Sequence, residues 1–381
     1  MIRPLVSLLV ALLVAAPAAA AEIDAARAEV ERIRGLEFER SVEVIVLPRT
    51  ELRKTLEAQI AKDASLPLAD YMDVLAALHL IERREGALDA LMEVYEAQVL
   101  AFYDPSTGTY TTFDTPPGGL EAAALLGDAV AVHELTHALQ DQVFDAGDRL
   151  KGLESSWDAQ LAYHAVLEGE ATLVMLAGLM GRMGVSLEDI VANDELVATM
   201  NRMADMAPGM PADAPPYFVE SLKFPYLRGL SLVIEAYRHG GWDAVDRLHE
   251  NPPRNTEEVL RPGLYFARVE NGRAAAASPG GCPAGEALLA TTLGEFHWSF
   301  LLGDEAGRGW ESDCVRASRE ENAMAVDGTS SWESEADAEE FAAALRTLLA
   351  KRDAEPRVER DGTVVAFGWR TGPAAAAVAG R

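Results

Sequence analysis

Cysteine is scarce: the chain of 381 residues has two, Cys282 and Cys314. Neither has the spacing of a zinc ligand, and two thiols cannot build a disulfide framework. In an exported protein an even pair is expected to form one bridge, here stapling the C-terminal part. Aromatic residues make up only 7%, while alanine is abundant, so a helix-rich protein is expected rather than a β-rich one. Basic residues are the third shortage. With 33 Lys and Arg against 61 Asp and Glu, the formal charge is −28. So acidic a chain repels phosphate backbones, which excludes nucleic acid as a natural partner; the charge is read as solubility. Long apolar runs are missing too. The most apolar stretches, 5–14 and 171–180, are each too short for a membrane span.

What is present begins with the N-terminus. Arg3 supplies a positive start, 5–14 is apolar, Pro17 breaks the helix, and Ala18, Ala19 and Ala20 offer a small-residue cleavage site. This is the layout of a secretory signal peptide over 1–20, so the protein is expected to be exported, periplasmic or secreted, with no stable membrane span after cleavage. Hydrophobic residues are 49% of the chain, ample for a core in two or three structural units. We expect a helical and strand region at 21–98, a central core at 99–270 and an accessory region at 271–381.

No internal repeat is evident. A helix is expected over 24–34, and 41–47 (SVEVIVL) alternates as a β-strand closed by Pro48. Helices follow over about 50–61, capped by Thr50, and over 69–83 and 86–98. The segment 99–113 reads as a β-hairpin, because VLAFYD and TYTTF flank the turn Asp104-Pro105-Ser106-Thr107-Gly108. A loop at Pro116-Pro117-Gly118-Gly119 leads to a helix over 120–143. After a loop at 144–154, a helix capped by Ser155, with Asp158 completing a near capping box, runs to about 183. Its stretch 171–180 is read as buried core. Residues 200–217 suggest an irregular loop, 222–239 and 241–250 helices, and 271–281 a linker. A further helix over 336–351 and a hairpin over 357–369 around Asp361-Gly362 end the chain.

The chemistry is carried by His133-Glu134-Leu135-Thr136-His137. On a helix, residues four apart share a face, so both imidazoles can bind one zinc ion, with each nitrogen about 2.0–2.1 Å from the metal. Glu134 sits roughly 100° around the helix from His133. Its carboxylate is thereby placed beside the metal, where it can take a proton from a water attacking a carbonyl and pass it to the leaving amine. A catalytic zinc needs a third protein ligand and an open position. The segment His164-Ala165-Val166-Leu167-Glu168-Gly169-Glu170 offers three candidates. Glu168 and Glu170 cannot share a helix face, being about 200° apart, whereas His164 and Glu168 can. Glu168 is favoured; Glu170 and His164 remain rivals, the losers being read as a solvated carboxylate and a helix-surface histidine. A metzincin arrangement is excluded, since no histidine follows His137 until His164.

HELTH followed by the Glu-Gly-x-Ala segment at 168–171 resembles the gluzincin branch of the zinc metallopeptidases, the thermolysin-like superfamily. The wider pattern is similar to a group of exported bacterial gluzincin-like proteins. It includes VLAFYDPSTG at 99–108, HELTHALQDQ at 133–142, LEGEATLVM at 167–175, FPYLRG at 224–229, the stretch 240–262, TLGEF at 292–296 and SEADAEEF at 334–341. The resemblance implies an α+β, helix-rich zincin-like fold. It implies a mixed sheet beside the active-site helix, whose edge strand pairs with an extended substrate; 99–113 is the candidate edge. It implies one zinc held by His133, His137 and Glu168, with Glu134 as general base and acid. It also implies a transition-state stabiliser after the ligand helix, for which Tyr226 is the first choice and His239 the second. Two positions depart from the pattern. Thr172 stands where such enzymes carry an Asp that orients a histidine ligand, so Asp141 or Gln140 is expected to give that support. Arg261-Pro262 stands where relatives carry His-Pro. His79, His249 and His297 have no matching partners in the sequence and are read as structural or exposed.

The reaction expected is peptide-bond hydrolysis of a peptide or protein. The rivals are a catalytically inactive zincin-fold binding protein of the cell envelope, and a structural or chaperone-like envelope protein with incidental histidines.

Overall fold

The computed structural model describes residues 16–63, 66–82, 86–114, 120–195, 198–200, 214–271, 282, 287–321, 323–352 and 354–371. The apolar part of the expected leader, the Pro-Gly loop at 116–119 and most of the expected linker at 271–281 lie outside these residues. So does most of the expected loop at 200–217.

Helix α1 (Ala16–Arg34) starts earlier than the expected 24 and leads to strand β1 (Glu43–Leu47). A 3-10 turn at Arg49–Glu51, whose own N-cap position is Pro48, precedes α2 (Leu52–Asp63), so Thr50 lies inside that turn. Helices α3 (Leu68–Ala77) and α4 (Ala87–Gln98) then precede the hairpin of β2 (Ala101–Asp104) and β3 (Thr109–Phe113). Asp104 accepts from the Ser106 amide at 2.9 Å, and Gly108 takes the positive φ of 70° that closes the turn. β3 pairs parallel with β1 and antiparallel with β2, so the order is β1-β3-β2 and β2 is an edge.

The central helices are α5 (Leu120–Phe144) and α7 (Trp157–Gly181). Between them the expected loop contains a short helix, α6 (Ala146–Gly152). The cap of α7 is Ser156, not Ser155: its hydroxyl accepts from the Ala159 amide at 3.1 Å. Asp158 makes no capping box. Its buried carboxylate instead accepts from the backbone N–H (2.9 Å) and hydroxyl (2.5 Å) of Thr256. Helix α7 is buried along most of its length, its leucine, valine and methionine side chains each contributing about 1.5–3 kcal/mol on burial. After α8 (Leu187–Val191) comes α9 (Pro216–Glu250), bent at Gly240 and Gly241, where the sequence reading placed a break. α7 and α9 pack unusually close. A Cβ on Gly229 would lie 1.9 Å from the Ala165 carbonyl oxygen, and one on Gly169 would lie 2.2 Å from the Gly229 carbonyl carbon.

Short helices α10 (Thr256–Leu260) and α11 (Pro262–Glu270) lead to the C-terminal part. It comprises β4 (Leu289–Thr291), α12 (Gly294–Leu302), α13 (Asp304–Gly307), β5 (Trp310–Arg319), β6 (Met324–Trp332), α14 (Glu335–Leu349), β7 (Ala354–Asp361) and β8 (Val364–Thr371). The five strands form one antiparallel sheet in the order β4-β5-β6-β8-β7. Trp298, Phe341 and Phe367 pack edge-on between α12, α14 and this sheet. Cys282 and Cys314 are joined by a disulfide. Asp313 fastens the sheet to α12, accepting from the Leu293 and Gly294 amides and the Trp298 and Trp310 indoles at 2.8–2.9 Å. The protein is α+β and helix-rich with small sheets.

Candidate metal centre

Helix α5 presents two adjacent faces. His133, His137 and Gln140 follow one another at helical spacing on the first, Glu134 and Asp141 on the second. Both faces are used. The Nε2 atoms of His133 and His137 are 3.2 Å apart, and Glu168 Oε2 on α7 lies 3.1 Å from the first and 3.4 Å from the second. The ligand atoms of this trio all fall within 4.8 Å of one another, and among the described residues it is the one such group of three or more. Around a four-coordinate zinc with bonds of about 2.0–2.1 Å, neighbouring ligand atoms sit about 3.3 Å apart. Two imidazoles and a carboxylate at these separations therefore fit a single divalent ion.

The electrostatics fit as well. Burial pushes the His133 imidazole below its ordinary pKa, against the pull of Glu168. Burial also works to lower His137, but the carboxylates of Glu168 and Glu134 outweigh it and raise it to about 9. Burial would raise Glu168; His137 and the hydrogen bonds from the surrounding imidazoles overcome that and hold it well below the carboxylate range. An ionised carboxylate excluded from water demands positive charge beside it, which either a protonated His137 or a divalent cation in place of that proton supplies.

The rival ligands sit elsewhere. His164, one turn before Glu168, lies 3.2 Å from the other oxygen, Oε1, and is buried rather than on a helix surface. Glu170 is buried as well, not solvated. Its Oε2 lies 2.6 Å from His249 Nε2 and accepts from Gln140 Nε2 at 2.8 Å, and its Oε1 accepts from Arg34. Arg34 also donates to Asp246 at 2.6 Å and lies over the Trp242 ring, 4.2 Å from its centroid. His249, read from sequence as lacking a partner, is thus fully buried against Glu170, stacked on Phe144 at 4.2 Å, with Tyr163 3.3 Å from its other nitrogen. The signal that could have found it was Glu170 itself, a second carboxylate on a helix rich in apolar residues, because buried charges are paired.

Glu134 faces the edge strand. Its Oε2 accepts from the Tyr103 backbone N–H at 3.0 Å. One stripe further along α5, Asp141 accepts from the Tyr103 hydroxyl at 3.0 Å and the Gly147 amide at 3.1 Å. Asp141 therefore ties β2 and α6 to the helix and does not reach a histidine. Gln140 does: its Oε1 lies 2.8 Å from His137 Nδ1. Thr172, the departure from the gluzincin pattern, is buried and its hydroxyl finds no partner among the described residues.

The Gly229 crossing sets Tyr226 one turn earlier on α9, with its ring against that of His133, centroids 6.0 Å apart and planes 17° from parallel. His239 lies near the bend of α9, stacked on Phe266 at 4.0 Å and hydrogen-bonded to the Glu235 carbonyl. The structure brings Tyr226 to the cluster and leaves His239 apart. The guanidinium of Arg261 pairs with Glu257 and with both carboxylate oxygens of Glu295, and takes no part in the cluster.

Three comparisons bear on this chain. Residues 277–380, spanning the C-terminal sheet and not the helices of the cluster, match the family described as Domain of unknown function (DUF8575). No curated protein matches the sequence. A crystal structure from Chloroflexus aurantiacus, provisionally described as a hydrolase with a novel fold, is similar over 66% of this chain and 88% of that one, at 16% identity and a TM-score of 0.35. Among the described residues, no helix is long and apolar enough to cross a membrane.

Proposed function

We propose that this protein is an exported zinc metallopeptidase of gluzincin type, in which His133, His137 and Glu168 hold one zinc ion and Glu134 is the general base and acid. The observation that carries the reading is the approach of two histidine nitrogens one helical turn apart and a carboxylate oxygen from a second helix to within 3.1–3.4 Å.

Zinc, when bound, supplies the Lewis acidity that makes water nucleophilic near neutral pH and polarises a peptide carbonyl. Glu134, on the face next to the ligands, accepts a proton from the attacking water and delivers it to the amine as the C–N bond breaks. Its acceptor oxygen is kept in place by the Tyr103 amide. Tyr226, packed on His133, donates its hydroxyl hydrogen to the oxyanion that develops on the substrate carbonyl. The β2 edge aligns an extended peptide along the face of α5.

Glu134→Gln tests the assignment. The variant should bind zinc at one ion per chain and fail to cleave peptides that the wild-type protein cleaves. Unchanged cleavage by the variant refutes the role of Glu134. Zinc at one per chain in the wild type, with no cleavage across a broad peptide library, favours the rival reading of a metal-holding binding protein.

A further inference from the structure

We infer that Gln140 is the positioning residue for the metal centre: it fixes the tautomer of His137 and is itself fixed by Glu170, whose charge is anchored by Arg34 at the end of α1. The inference rests on the metal reading above and deepens it.

A glutamine amide can face a histidine with either its oxygen or its nitrogen. Here the nitrogen is committed. It donates to the Leu167 carbonyl at 3.0 Å and to Glu170 Oε2 at 2.8 Å, both pure acceptors. The oxygen must therefore face His137 Nδ1 at 2.8 Å and accept its hydrogen. With the proton on Nδ1, the lone pair of Nε2 points to His133 and Glu168, where a metal ligand is needed.

Glu170 offers its oxygens as acceptors because every partner it meets can donate: Arg34 to Oε1, and Gln140 Nε2 at 2.8 Å and His249 Nε2 at 2.6 Å to Oε2. The Arg34 side chain has no solvent exposure, and its partner is 136 residues away in sequence. Helix α1 is thereby a working part of the centre. The acceptor for His137 thus comes from the ligand helix α5 itself, three residues after it, and does not serve His133.

Two substitutions separate positioning from plain structural support. Gln140→Leu keeps the volume and removes the acceptor. Gln140→Glu keeps an acceptor for His137 while setting a second carboxylate about 2.8 Å from Glu170, which disfavours the fold. Zinc affinity is read by competition with a chromophoric chelator at pH 7, and stability by thermal unfolding of the zinc-free protein. Gln140→Leu should weaken zinc binding by about 10–100-fold. Gln140→Glu should lower the unfolding temperature of the zinc-free protein yet bind zinc more tightly than Gln140→Leu. The inference is overturned if Gln140→Leu binds zinc within twofold of wild type, or if affinity simply follows stability across the two variants. A wild-type protein that binds no zinc sinks the metal reading itself, whereas wild-type binding left unchanged by Gln140→Leu sinks only the role of Gln140.

Discussion

Gly229→Ala is a small substitution with a large expected effect. On an isolated helix it would help, since alanine is favoured over glycine by about 1 kcal/mol. In this protein the added Cβ would lie 1.9 Å from the Ala165 carbonyl oxygen and 2.8 Å from its carbon. Ordinary contact begins near 3.4 Å, so α7 and α9 must part locally by about 1.5 Å. The obstacle is helix backbone on both sides, which cannot swing away as a side chain would. Overpacking of this kind costs about 1–3 kcal/mol and occasionally more, and a backbone obstacle places it at the upper end. The net loss should be about 2 kcal/mol, or a fall in Tm of roughly 2–4 °C for a chain of this length. The same separation moves Tyr226, one turn away, off the His133 ring, so peptide cleavage should fall by more than the loss of folded protein explains. Gly178→Ala on α7 is the control: its Cβ would meet Glu29 at 3.5 Å, an ordinary contact, and it should be neutral or slightly stabilising. Thermal unfolding by circular dichroism, with zinc affinity measured beside it, checks both. A Gly229→Ala protein with wild-type Tm and zinc affinity would refute the close-packing argument.

Two further outcomes are expected. His297 is fully buried between Tyr217 and the Leu293 carbonyl, and burial lowers its pKa to about 4. The unfolded imidazole titrates near 6.5, so stability should be intact above about pH 6.5 and decline as pH falls toward 4, where the loss levels off at about 3 kcal/mol. Urea midpoints measured against pH should show a shallower slope between about pH 6.5 and 4 in His297→Gln than in the wild type; an equal slope in both contradicts the assignment. The Cys282–Cys314 bridge closes a loop of sequence separation 32, worth about 3–4 kcal/mol of unfolded-state entropy. Cys314→Ser, or reductant, should lower the unfolding midpoint accordingly; an unchanged midpoint would show that the bridge does not restrain the chain.

The sequence made His133, His137 and Glu134 legible because helical periodicity sets which residues share a face, whereas Glu168 was favoured over Glu170 and His164 only with the resemblance beside it. The hairpin turn at 104–108 was legible from its residue types, and so was the α9 bend from its glycine pair. What was hidden depends on contacts between distant segments. Arg34 meets Glu170 across 136 residues, and no local pattern announces it. Strands β5 and β6 escaped notice because several of their inward positions carry Asp313, Ala317 and Ser330, so apolar alternation is weak. Helix α6 was hidden by its glycines and charges, which read as loop. Ser155 and Ser156 are equivalent as sequence; the choice of Ser156 as cap goes with the engagement of Asp158 by Thr256.

The metal content of the purified protein is the sharpest test. Wild-type protein should carry one zinc ion per chain by elemental analysis after exhaustive dialysis. Glu168→Ala, folded by circular dichroism, should carry almost none. Zinc-free wild-type protein that takes up no zinc when it is supplied, or a Glu168→Ala variant that retains one ion per chain, would contradict the reading of His133, His137 and Glu168 as a metal centre.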